Sequence, residues 1–235
     1  MKNPGVPQLQ QDLLRKNKDS RQAHDETAMD YDRLARDYHW FPEVLCGLCF
    51  EYVRPSERLL AIGIGTGLCA APFAQLGLQV FGLDASAEML KVCQSKGIAT
   101  DLKQFDLRTK PWPYPADYFN HVLACGVLHF LDELDPVFQE ITRVVKIGGL
   151  FAFTTKIPRS EPEPEAHSSR YSLEVISGVP IFSHRKAYLE TLLASCGFET
   201  LKDLEFLVDT DQTERRDPYL ALVTHKTNNA SSSPR

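Results

Sequence analysis

Three glycines and two carboxylates are the residues of this sequence whose types and spacing most clearly suggest chemistry. Gly63, Gly65 and Gly67 directly follow a short apolar run, and Asp84 and Asp106 each follow a later run with the character of a strand. Glycines permit positive φ and let a ligand touch the backbone, while the next helix start offers free N–H groups. A carboxylate at Asp84 can accept from both ribose hydroxyls, and one at Asp106 can accept from an adenine amino group. The pattern predicts a site for an adenosine-containing ligand.

The spacing of these residues carries more weight than any one of them. Asp84 stands 21 positions after Gly63. Either acid alone is equally well explained as a solvated loop residue or a helix cap. Ligands of open α/β sheets bind at the carboxyl ends of the strands, where the strand order reverses. Because the glycine loop and both acids follow strands in successive units, their coincidence favours an adenosine site.

The glycine register separates two classes of adenosine cofactor. A dinucleotide loop reads G-x-G-x-x-G/A, and from Gly63 the last position is Leu68, which does not fit. From Gly65 the last position is Ala70, which fits, but this register leaves two extra residues after the strand. A G-x-G-x-G loop instead leaves room for an amino-acid moiety. An NAD-dependent oxidoreductase therefore ranks behind a cofactor that joins adenosine to an amino acid.

These residues need a parallel sheet to bring them together, and the sequence around them predicts one. Short apolar runs alternate with helical segments, as in doubly wound sheets. The predicted strands are Arg58–Ile62, Gln79–Leu83, Thr100–Phe105, Phe119–Ala124 and Leu150–Thr155. The predicted helices between them are Leu68–Gln75, Ser86–Ser95 and Leu134–Val145. We expect an α/β fold with a doubly wound, Rossmann-like, seven-stranded and mostly parallel sheet.

Further elements flank this sheet on both sides. Ala23–His39 and Phe41–Val53 are predicted as two helices of an N-terminal cap. A helix is predicted over Ser183–Cys196, with Ser183 as its N-cap. Glu199–Val208 and Pro218–His225 then predict two strands that meet as a C-terminal β-hairpin.

The composition predicts one domain with loose ends. We expect a flexible segment at 1–22, a single domain at 23–226 and a disordered tail at 227–235. The domain would contain the helical cap at 23–53 and a proline-rich insertion at 159–169, predicted as a mobile loop.

Charge and hydropathy exclude several classes of function. The chain has 235 residues and a formal net charge of −5, so it is poorly suited to a nucleic-acid backbone. No run approaches the roughly 18 apolar residues that span a bilayer, and the first twenty residues lack an apolar signal core. We expect a soluble cytoplasmic protein without a nucleic-acid partner or membrane span.

Cys46 and Cys49 form a C-x-x-C pair, which raises the question of a metal or redox site. A structural zinc ion needs four ligands, and no second such pair follows. The pair lies within a helical stripe of apolar residues. Two small apolar thiols on one helix face are the favoured interpretation, and no metal is expected.

Five stretches resemble class I S-adenosylmethionine-dependent methyltransferases. They are Ala61–Gly67, Val80–Leu90, Phe105–Asp106, Ala124–Leu131 and Glu140–Leu150, and the resemblance spans about residues 28–226. Within that superfamily the chain is similar to the small-molecule group that includes the ubiquinone- and menaquinone-type enzymes. The YDRLARDY segment at 31–38 is similar to the opening helix of the Williams–Beuren-region methyltransferase-like proteins. The resemblance implies S-adenosylmethionine as cofactor and a small-molecule or carrier-bound acceptor.

For the adenosine half of the cofactor, the resemblance implies four contacts. Asp84 would bind the ribose, and Ala85 would lie against the adenine. Asp106 would hold the adenine amino group, with the N–H of Leu107 nearby.

For the methionine half, the resemblance assigns the remaining positions. Gly63, Gly65 and Gly67 would pass beneath the methionine. The backbone near Cys125 would meet its amino group, and Tyr38 would sit in a lid over the sulfonium.

One departure from the family pattern bears on activity. The family usually carries Asp or Glu where this chain has Ala61, and that acid helps to hold the loop and the amino group of the cofactor. Loss of one charge-assisted contact costs about 1.5–3 kcal/mol. A non-catalytic S-adenosylmethionine- or S-adenosylhomocysteine-binding protein is therefore an alternative function. Asn120 and Ile147 also depart from the pattern, with mild effects expected.

Methyl transfer needs alignment more than acid–base catalysis, because the sulfonium already activates the methyl group. A general base is needed only if the nucleophile arrives protonated. His129, which follows the fourth strand, is the candidate base; a packed histidine in a common Val-Leu-His pattern is the alternative. Trp40 and Phe41 belong to an aromatic cluster that either faces the sulfonium or joins the cap to the domain.

Overall fold

The computed structural model describes residues 19–160, 170–209 and 216–228. The helices are α1 (Ser20–Thr27), α2 (Tyr31–Asp37), α3 (Glu43–Cys49), α4 (Ala71–Gln75), α5 (Ala87–Ser95), α6 (Asp135–Val144) and α7 (Lys186–Ser195). The strands are β1 (Arg58–Ile62), β2 (Gln79–Asp84), β3 (Asp101–Gln104), β4 (Phe119–Ala124), β5 (Val145–Lys156), β6 (Tyr171–Ile176), β7 (Val179–His184), β8 (Phe198–Asp209) and β9 (Arg216–Lys226).

Seven strands form the main sheet, in the order β3-β2-β1-β4-β5-β9-β8. The first five run parallel, β9 pairs antiparallel with β5, and β8 pairs antiparallel with β9. The predicted Rossmann-like sheet with a C-terminal hairpin is confirmed. The carboxyl ends of β1 and β4 lie side by side where the strand order reverses, because Ala61 pairs with Gly82 on one side and Leu123 on the other.

Two apolar layers hold the sheet, one on each face. On one face Phe138 of α6 and Leu189 of α7 pack with Phe151 and Phe153 of β5. On the other face α3, α4 and α5 cover alternating residues of β1, β2, β5 and β9. Strands buried on both faces explain the near-continuous apolar runs of β1 and β4. This packing fixes the strand ends from which the candidate site is built.

The cap is divided more finely than predicted. Three short helices replace the two expected, because the chain turns between Thr27 and Asp30 and again at His39, whose φ is +53°. The Asp30 N–H bonds to the Thr27 carbonyl at 3.0 Å, and this tight turn ends α1. The third helix begins after Pro42 and ends at Cys49.

The prediction for Ser183 was wrong. Ser183 lies in β7, and α7 begins at Lys186 with Arg185 as its N-cap. The strand belongs to a separate two-stranded hairpin, β6–β7, that the sequence analysis missed. Its turn is Ser177-Gly178, with φ of +50° and +80°, which is the signal of a two-residue hairpin.

Other boundaries moved by a few residues. The helix predicted from Leu68 begins at Ala71, because the glycine loop continues as turns. Strand β5 begins at Val145 rather than at Leu150, with a register irregularity opposite β4.

The predictions for the chain ends and the insertion fall partly on described residues. Helix α1 starts at Ser20, inside the segment expected to be flexible, and the Thr227 N–H bonds to the Gly197 carbonyl at 2.8 Å. The rest of those predictions, at 1–18, 161–169 and 229–235, lie outside the described residues. Within the described part of the chain, no helix is long and apolar enough to cross a bilayer.

Candidate functional site

A cavity of about 380 Å³ opens at the carboxyl ends of β1, β2 and β4, beneath the cap. Its walls come from four parts of the chain: the cap, the glycine loop, the end of β2, and the segments after β3 and β4. Of the predicted site residues, the cavity is lined by Gly63, Gly65, Asp84, Ala85, Asp106, Leu107 and Cys125. The topology therefore brings these residues together around one space.

The three glycines have positive φ but different surroundings. A Cβ at Gly63 would lie 2.5 Å from the Val127 side chain, and one at Gly67 would lie 2.9 Å from Cys93. These two glycines are required by packing, and Gly67 does not line the cavity. A Cβ at Gly65 would meet nothing within 4 Å, although Gly65 borders the cavity. Gly65 is thus the position where the missing side chain leaves room for a ligand.

Asp84 ties the glycine loop to the start of α5. Its Oδ2 accepts from the Gly65 N–H at 2.7 Å, and its Oδ1 accepts from the Ser86 N–H at 2.8 Å. Burial raises the pKa of the Asp84 carboxyl, and the two backbone N–H groups oppose that shift. Each oxygen retains a lone pair for a further donor. The carboxylate is held rigidly at the edge of the cavity.

The region after β3 forms a second polar edge. The Asp106 side chain is half exposed, and its Oδ1 accepts from the Arg108 N–H at 2.9 Å. Leu107 is buried beside it and borders the same space. On the opposite side the Gln104 amide donates to the Ala85 carbonyl at 3.0 Å. A flat ring bound between Ala85 and Leu107 would have the Asp106 carboxylate near its edge.

The segment after β4 forms the third wall. The Gly126 N–H donates to Thr154 Oγ1 at 2.9 Å, which fixes the turn behind Cys125. Beside Cys125, the Cys69 thiol donates to the Pro42 carbonyl at 3.4 Å. Burial and the neighbouring Cys125 thiol raise the pKa of Cys69 well above its usual range. Cys69 is therefore a neutral, small apolar group in this wall.

The cap is fastened over the cavity by two carboxylates. The Ser86 hydroxyl donates to Asp25 at 2.5 Å. The Thr66 hydroxyl and the Lys96 ammonium both donate to Asp32 at 2.5 Å. Thr66 and Ser86 are themselves buried at the cavity edge. Helices α1 and α2 thus close the space above the glycine loop and the end of β2.

Tyr38, predicted to sit in a lid over the sulfonium, does not line the cavity, and a role for it in the lid stays a prediction. Tyr38 is 37% exposed at the end of α2, and its carbonyl accepts from the Asp209 N–H at 3.2 Å. Tyr31, at the start of α2, borders the cavity instead. Burial of its hydroxyl raises the Tyr31 pKa, with smaller contributions from Cys125 and Asp84. Asp32, next to Tyr31, bonds to Thr66 and Lys96 and so holds the start of α2 beside the glycine loop. Sequence reasoning did not use this residue to place Tyr31 at the cavity.

His129 is buried in a 3₁₀ turn directly after the third wall and does not line the cavity. Its ring contacts Phe130, with centroids 4.2 Å apart, and Tyr219, at 5.6 Å. Burial lowers the pKa of His129 to about 3, so the ring is neutral. Its Nδ1 is buried without a hydrogen-bond partner. A catalytic role for His129 stays a prediction.

Cys46 and Cys49 lie in the core between α3 and the sheet. Both are buried, and burial raises the pKa of Cys49 to about 12. Across the described ranges, no group of three or more His, Cys, Asp or Glu side chains is arranged to hold a metal ion.

Comparison with known proteins identifies the domain to which this cavity belongs. Residues 60–153, which carry the glycine loop, Asp84 and Asp106, match a family model described as a methyltransferase domain. Residues 60–153 are therefore similar to a methyltransferase domain, in agreement with the class I S-adenosylmethionine-dependent motifs of the sequence. The resemblance inferred from the sequence motifs is confirmed, and S-adenosylmethionine is the cofactor of this family.

Alignments with individual relatives are longer than the segment matched by the family model. Methyltransferase-like protein 27 of Homo sapiens is 31% identical over 157 residues, which cover 65% of this chain and 60% of the human protein. A malonyl-[acyl-carrier protein] O-methyltransferase of Legionella pneumophila is 25% identical over 220 residues, or 86% of this chain and 76% of that protein. This chain therefore spans less than two thirds of the human relative.

Solved structures show the same fold. The chain is similar to a 1,6-didemethyltoxoflavin-N1-methyltransferase of Burkholderia thailandensis, solved with 1,6-didemethyltoxoflavin and S-adenosylhomocysteine. The TM-score is 0.67 at 16% identity, and the alignment covers 97% of this chain and 94% of that one. At this identity the likeness extends to the fold of the methyltransferase domain alone.

The side chains of the cavity fit S-adenosylmethionine in size and polarity. The open space at Gly65 would admit the methionine moiety, and Asp84 offers acceptors suited to two hydroxyls. Ala61, where the family pattern has an acidic residue, lines the cavity with a small apolar side chain in place of a carboxylate.

Proposed function

We propose that this chain is a methyltransferase that uses S-adenosylmethionine to methylate a small-molecule or carrier-bound acceptor. The observation that carries the proposal is the Asp84 carboxylate, held by the N–H groups of Gly65 and Ser86 at the edge of the cavity. Such an acid at the end of the second strand suits a ribose. In this proposal residues 23–226 act as one domain, and the cytoplasmic location stays a prediction.

The residues divide the work between binding and alignment. Asp84 and Asp106 would hold the ribose and the adenine amino group, with Ala85 and Leu107 on either side of the ring. Gly65 and the backbone at Cys125 would hold the methionine half. When bound, the cofactor supplies a methyl group on a positively charged sulfur.

The cap contributes by excluding water and positioning an aromatic hydroxyl. Tyr31 borders the cavity close to Cys125 and Asp84, and its raised pKa keeps the hydroxyl protonated as a donor. With Asp25 and Asp32 fastening α1 and α2, the reacting groups would be enclosed. Alignment in a closed site accounts for much of the rate gain in a displacement of this kind.

Ala61 favours the alternative, a protein that binds the cofactor without turnover. It removes the acid that the family uses near the amino group, whereas Asp84 and Asp106 are kept. A dinucleotide is less well supported, because Leu68 borders the cavity where a third glycine would let a pyrophosphate approach.

Calorimetry with Asp84→Asn tests the proposal. We expect the wild-type protein to bind S-adenosylmethionine and S-adenosylhomocysteine with micromolar affinity. The variant should bind them at least 10-fold more weakly, because one ribose acceptor becomes a donor. Asp37→Asn, an exposed change on α2, is the matched control and should leave binding unchanged. Binding of NAD alone would contradict the proposal.

Turnover separates the enzyme from the non-catalytic binder. The assay follows S-adenosylhomocysteine released in the presence of acceptor mixtures. Cofactor binding with release no faster than the protein-free rate, across small-molecule and carrier-bound acids, phenols and amines, would favour the alternative.

A further inference from the structure

His24, in the middle of α1, was not among the predicted site residues. Of the described histidines it is the one that lines the cofactor cavity. Its ring stands edge-on to Phe130, with centroids 5.0 Å apart, and its centroid lies 6.1 Å from that of Tyr31. Unlike His129, which is buried and outside the cavity, His24 is partly exposed. It can therefore meet both a ligand in the cavity and water.

The hydrogen of the neutral His24 ring is assigned by the contact of one ring nitrogen. Nδ1 lies 2.6 Å from the Ser20 carbonyl oxygen, one turn earlier in α1. A carbonyl oxygen only accepts, so Nδ1 is the nitrogen that carries the hydrogen. Nε2 then holds a lone pair on the outer edge of the ring. No group within the described residues donates a hydrogen bond to it.

The Tyr31 hydroxyl is a second polar group of the cap that belongs to this cavity. Burial raises its pKa, with smaller effects from Cys125 and Asp84, so the hydroxyl stays protonated. Among residues 19–160, 170–209 and 216–228 it has no hydrogen-bond partner. An acceptor, His24 Nε2, and a donor, the Tyr31 O–H, thus belong to neighbouring rings. A ligand hydroxyl can donate to the first while it accepts from the second.

The charges around His24 favour an uncharged acceptor. Besides two cysteines, the ionisable side chains that line the cavity with His24 are Asp19, Arg21, Tyr31, Asp84, Asp106 and Arg108. Burial raises the pKa of the Asp84 carboxyl and a charge on His24 lowers it, so an imidazolium at His24 would be attracted by that carboxylate. Burial keeps the neighbouring His129 neutral, so it would not repel this charge. An acceptor that arrived as a cation would add a second positive charge beside the sulfonium.

We infer that His24 is the general base of this site and that the acceptor reacts through a hydroxyl group on an uncharged ring. The inference rests on the proposed methyltransferase function. The ring would lie among Trp40, Phe130 and Leu131, which give the cavity an apolar wall. Its hydroxyl would lie between His24 Nε2 and the Tyr31 O–H. The acceptor oxygen forms the bond to the methyl carbon as the carbon–sulfur bond breaks, and the electron pair of that bond passes to sulfur. His24 Nε2 takes the hydroxyl proton and releases it to solvent.

Two chemical arguments favour a ring hydroxyl over a carboxylate or an amine. A carboxylate is ionised at neutral pH and needs no base, whereas a phenol arrives protonated and benefits from one. The proton leaves the phenol as the sulfur loses its positive charge, so the cavity holds one cation before the reaction and one after it. An imidazolium beside an intact sulfonium would be disfavoured. Proton transfer to His24 is therefore most favourable as the methyl group is transferred.

Nuclear magnetic resonance of the histidine rings tests the position of His24 without an acceptor. Protein labelled with ¹⁵N-histidine is titrated with acid in complex with S-adenosylmethionine and, separately, with S-adenosylhomocysteine, which lacks the charged sulfur. The His24 signal is assigned through its contacts with the rings of Phe130 and Tyr31. Its titration midpoint should be lower by about 0.5 pH units or more in the first complex, because the sulfonium opposes a nearby imidazolium. His225, at the opposite end of the sheet, should titrate alike in both complexes. Equal midpoints for His24, or a neutral ring with its hydrogen on Nε2, overturn the inference.

Release of S-adenosylhomocysteine tests the class of acceptor. The probes are catechol, benzoate and benzylamine, which share a ring and differ in the reacting group. We expect release with catechol to be at least 10-fold faster than with either of the other two. Equal or faster release with benzoate or benzylamine, or no release with catechol above the protein-free rate, overturns the assignment of a ring hydroxyl. Failure to bind S-adenosylmethionine is scored beforehand and counts against the proposed function instead.

His24→Gln separates a base from a structural residue, because glutamine cannot take a proton at neutral pH. The matched probe is 4-nitrocatechol, which is ionised at pH 8 and needs no base, whereas catechol is protonated. The variant should release S-adenosylhomocysteine at least 30-fold more slowly with catechol and less than 3-fold more slowly with 4-nitrocatechol. His225→Gln is the matched control and should change neither rate. Equal losses with both probes, or no loss with catechol, reject His24 as the base. If His24→Gln does not fold, the ring titration of the wild-type protein decides.

Discussion

Gly63, Gly65 and Gly67 share a left-handed backbone, yet only one of them leaves space that a ligand can use. At Gly63 and Gly67 an added methyl group would meet Val127 or Cys93, whereas at Gly65 it would project into open space at the cavity edge. The same motif therefore combines two packing positions with one binding position. Sequence spacing predicts all three glycines but does not separate these roles, because the separation depends on neighbours far away in the chain.

Alanine at two of these glycines should separate stability from binding. Any residue but glycine costs roughly 1–2 kcal/mol at such φ values. Gly63→Ala adds a clash with Val127, worth about 1–3 kcal/mol more. We expect Gly63→Ala to lose more unfolding free energy in urea, and Gly65→Ala to lose more S-adenosylhomocysteine affinity. The reverse order of either effect would contradict the assigned roles.

Asp84 and Asp106 were predictable because their positions depend only on where strands end. Tyr31 was not, although the motif that contains it was recognised. Tyr31 and Tyr38 are seven residues apart, so a continuous helix would place both on one face. Tyr38 is the C-cap of that helix, about 10 Å further along the axis than Tyr31, and at that end of the helix it does not line the cavity.

At the scale of elements, the first two helices of the cap are held to the domain chiefly by polar contacts, whereas α3 is packed in the core. Asp25 bonds to Ser86, Asp32 bonds to Thr66 and Lys96, and α1 buries no residue of its own. A segment with few buried apolar contacts opens at low free-energy cost. Cofactor exchange should therefore depend on these carboxylates.

Removing both carboxylates should loosen the cap and little else. The double variant Asp25→Ala/Asp32→Ala is expected to release S-adenosylhomocysteine at least 5-fold faster in stopped-flow displacement. Hydrogen exchange should speed up in α1 and α2 while β1 and β4 stay protected. Asp30→Ala/Asp37→Ala, which removes exposed partners of Arg33 on the same helix, is the control. Equal release rates in the two double variants would show that the cap does not limit exchange.

Strands β1, β2 and β4 were predictable because each is a largely buried, largely apolar run that ends in a turn. The β6–β7 hairpin was not, because β6 is partly exposed and β7 carries Pro180. Proline weighs against a strand in sequence reasoning, yet a two-stranded hairpin consists of edges, where a missing N–H is tolerated. The Ser177-Gly178 pair was the sequence signal for the hairpin turn. The helical pattern that follows led to Ser183 being predicted as the N-cap of α7, although it lies in β7.

Across the whole molecule, buried neutral histidines link stability to pH. His184 Nε2 donates to the Leu128 carbonyl at 3.1 Å, and burial lowers the pKa of His184 to about 4. The unfolded chain takes up this proton near the ordinary value of about 6.5. The stabilisation is therefore complete above pH 6.5 and is lost as the pH falls towards 4.

His184→Gln should remove this part of the acid sensitivity. A glutamine amide can still donate to the Leu128 carbonyl but does not titrate. Between pH 6.5 and 4 the wild-type protein should lose about 3 kcal/mol more unfolding free energy than the variant. Urea unfolding at four or five pH values measures the difference. Parallel pH profiles for the two proteins would show that another group is responsible.

The contacts that the cap makes with later parts of the chain also determine when the cap can dock during synthesis on the ribosome. Its helices leave the ribosome ahead of every strand of the sheet, yet the partner of Asp25 lies 61 residues later and that of His39 lies 170 residues later. Trp40 needs Tyr219, on the last strand of the sheet to be made. The cap is thus translated before the sheet but docks fully only after Tyr219 has been made, and the nascent domain stays open at its cofactor edge until then.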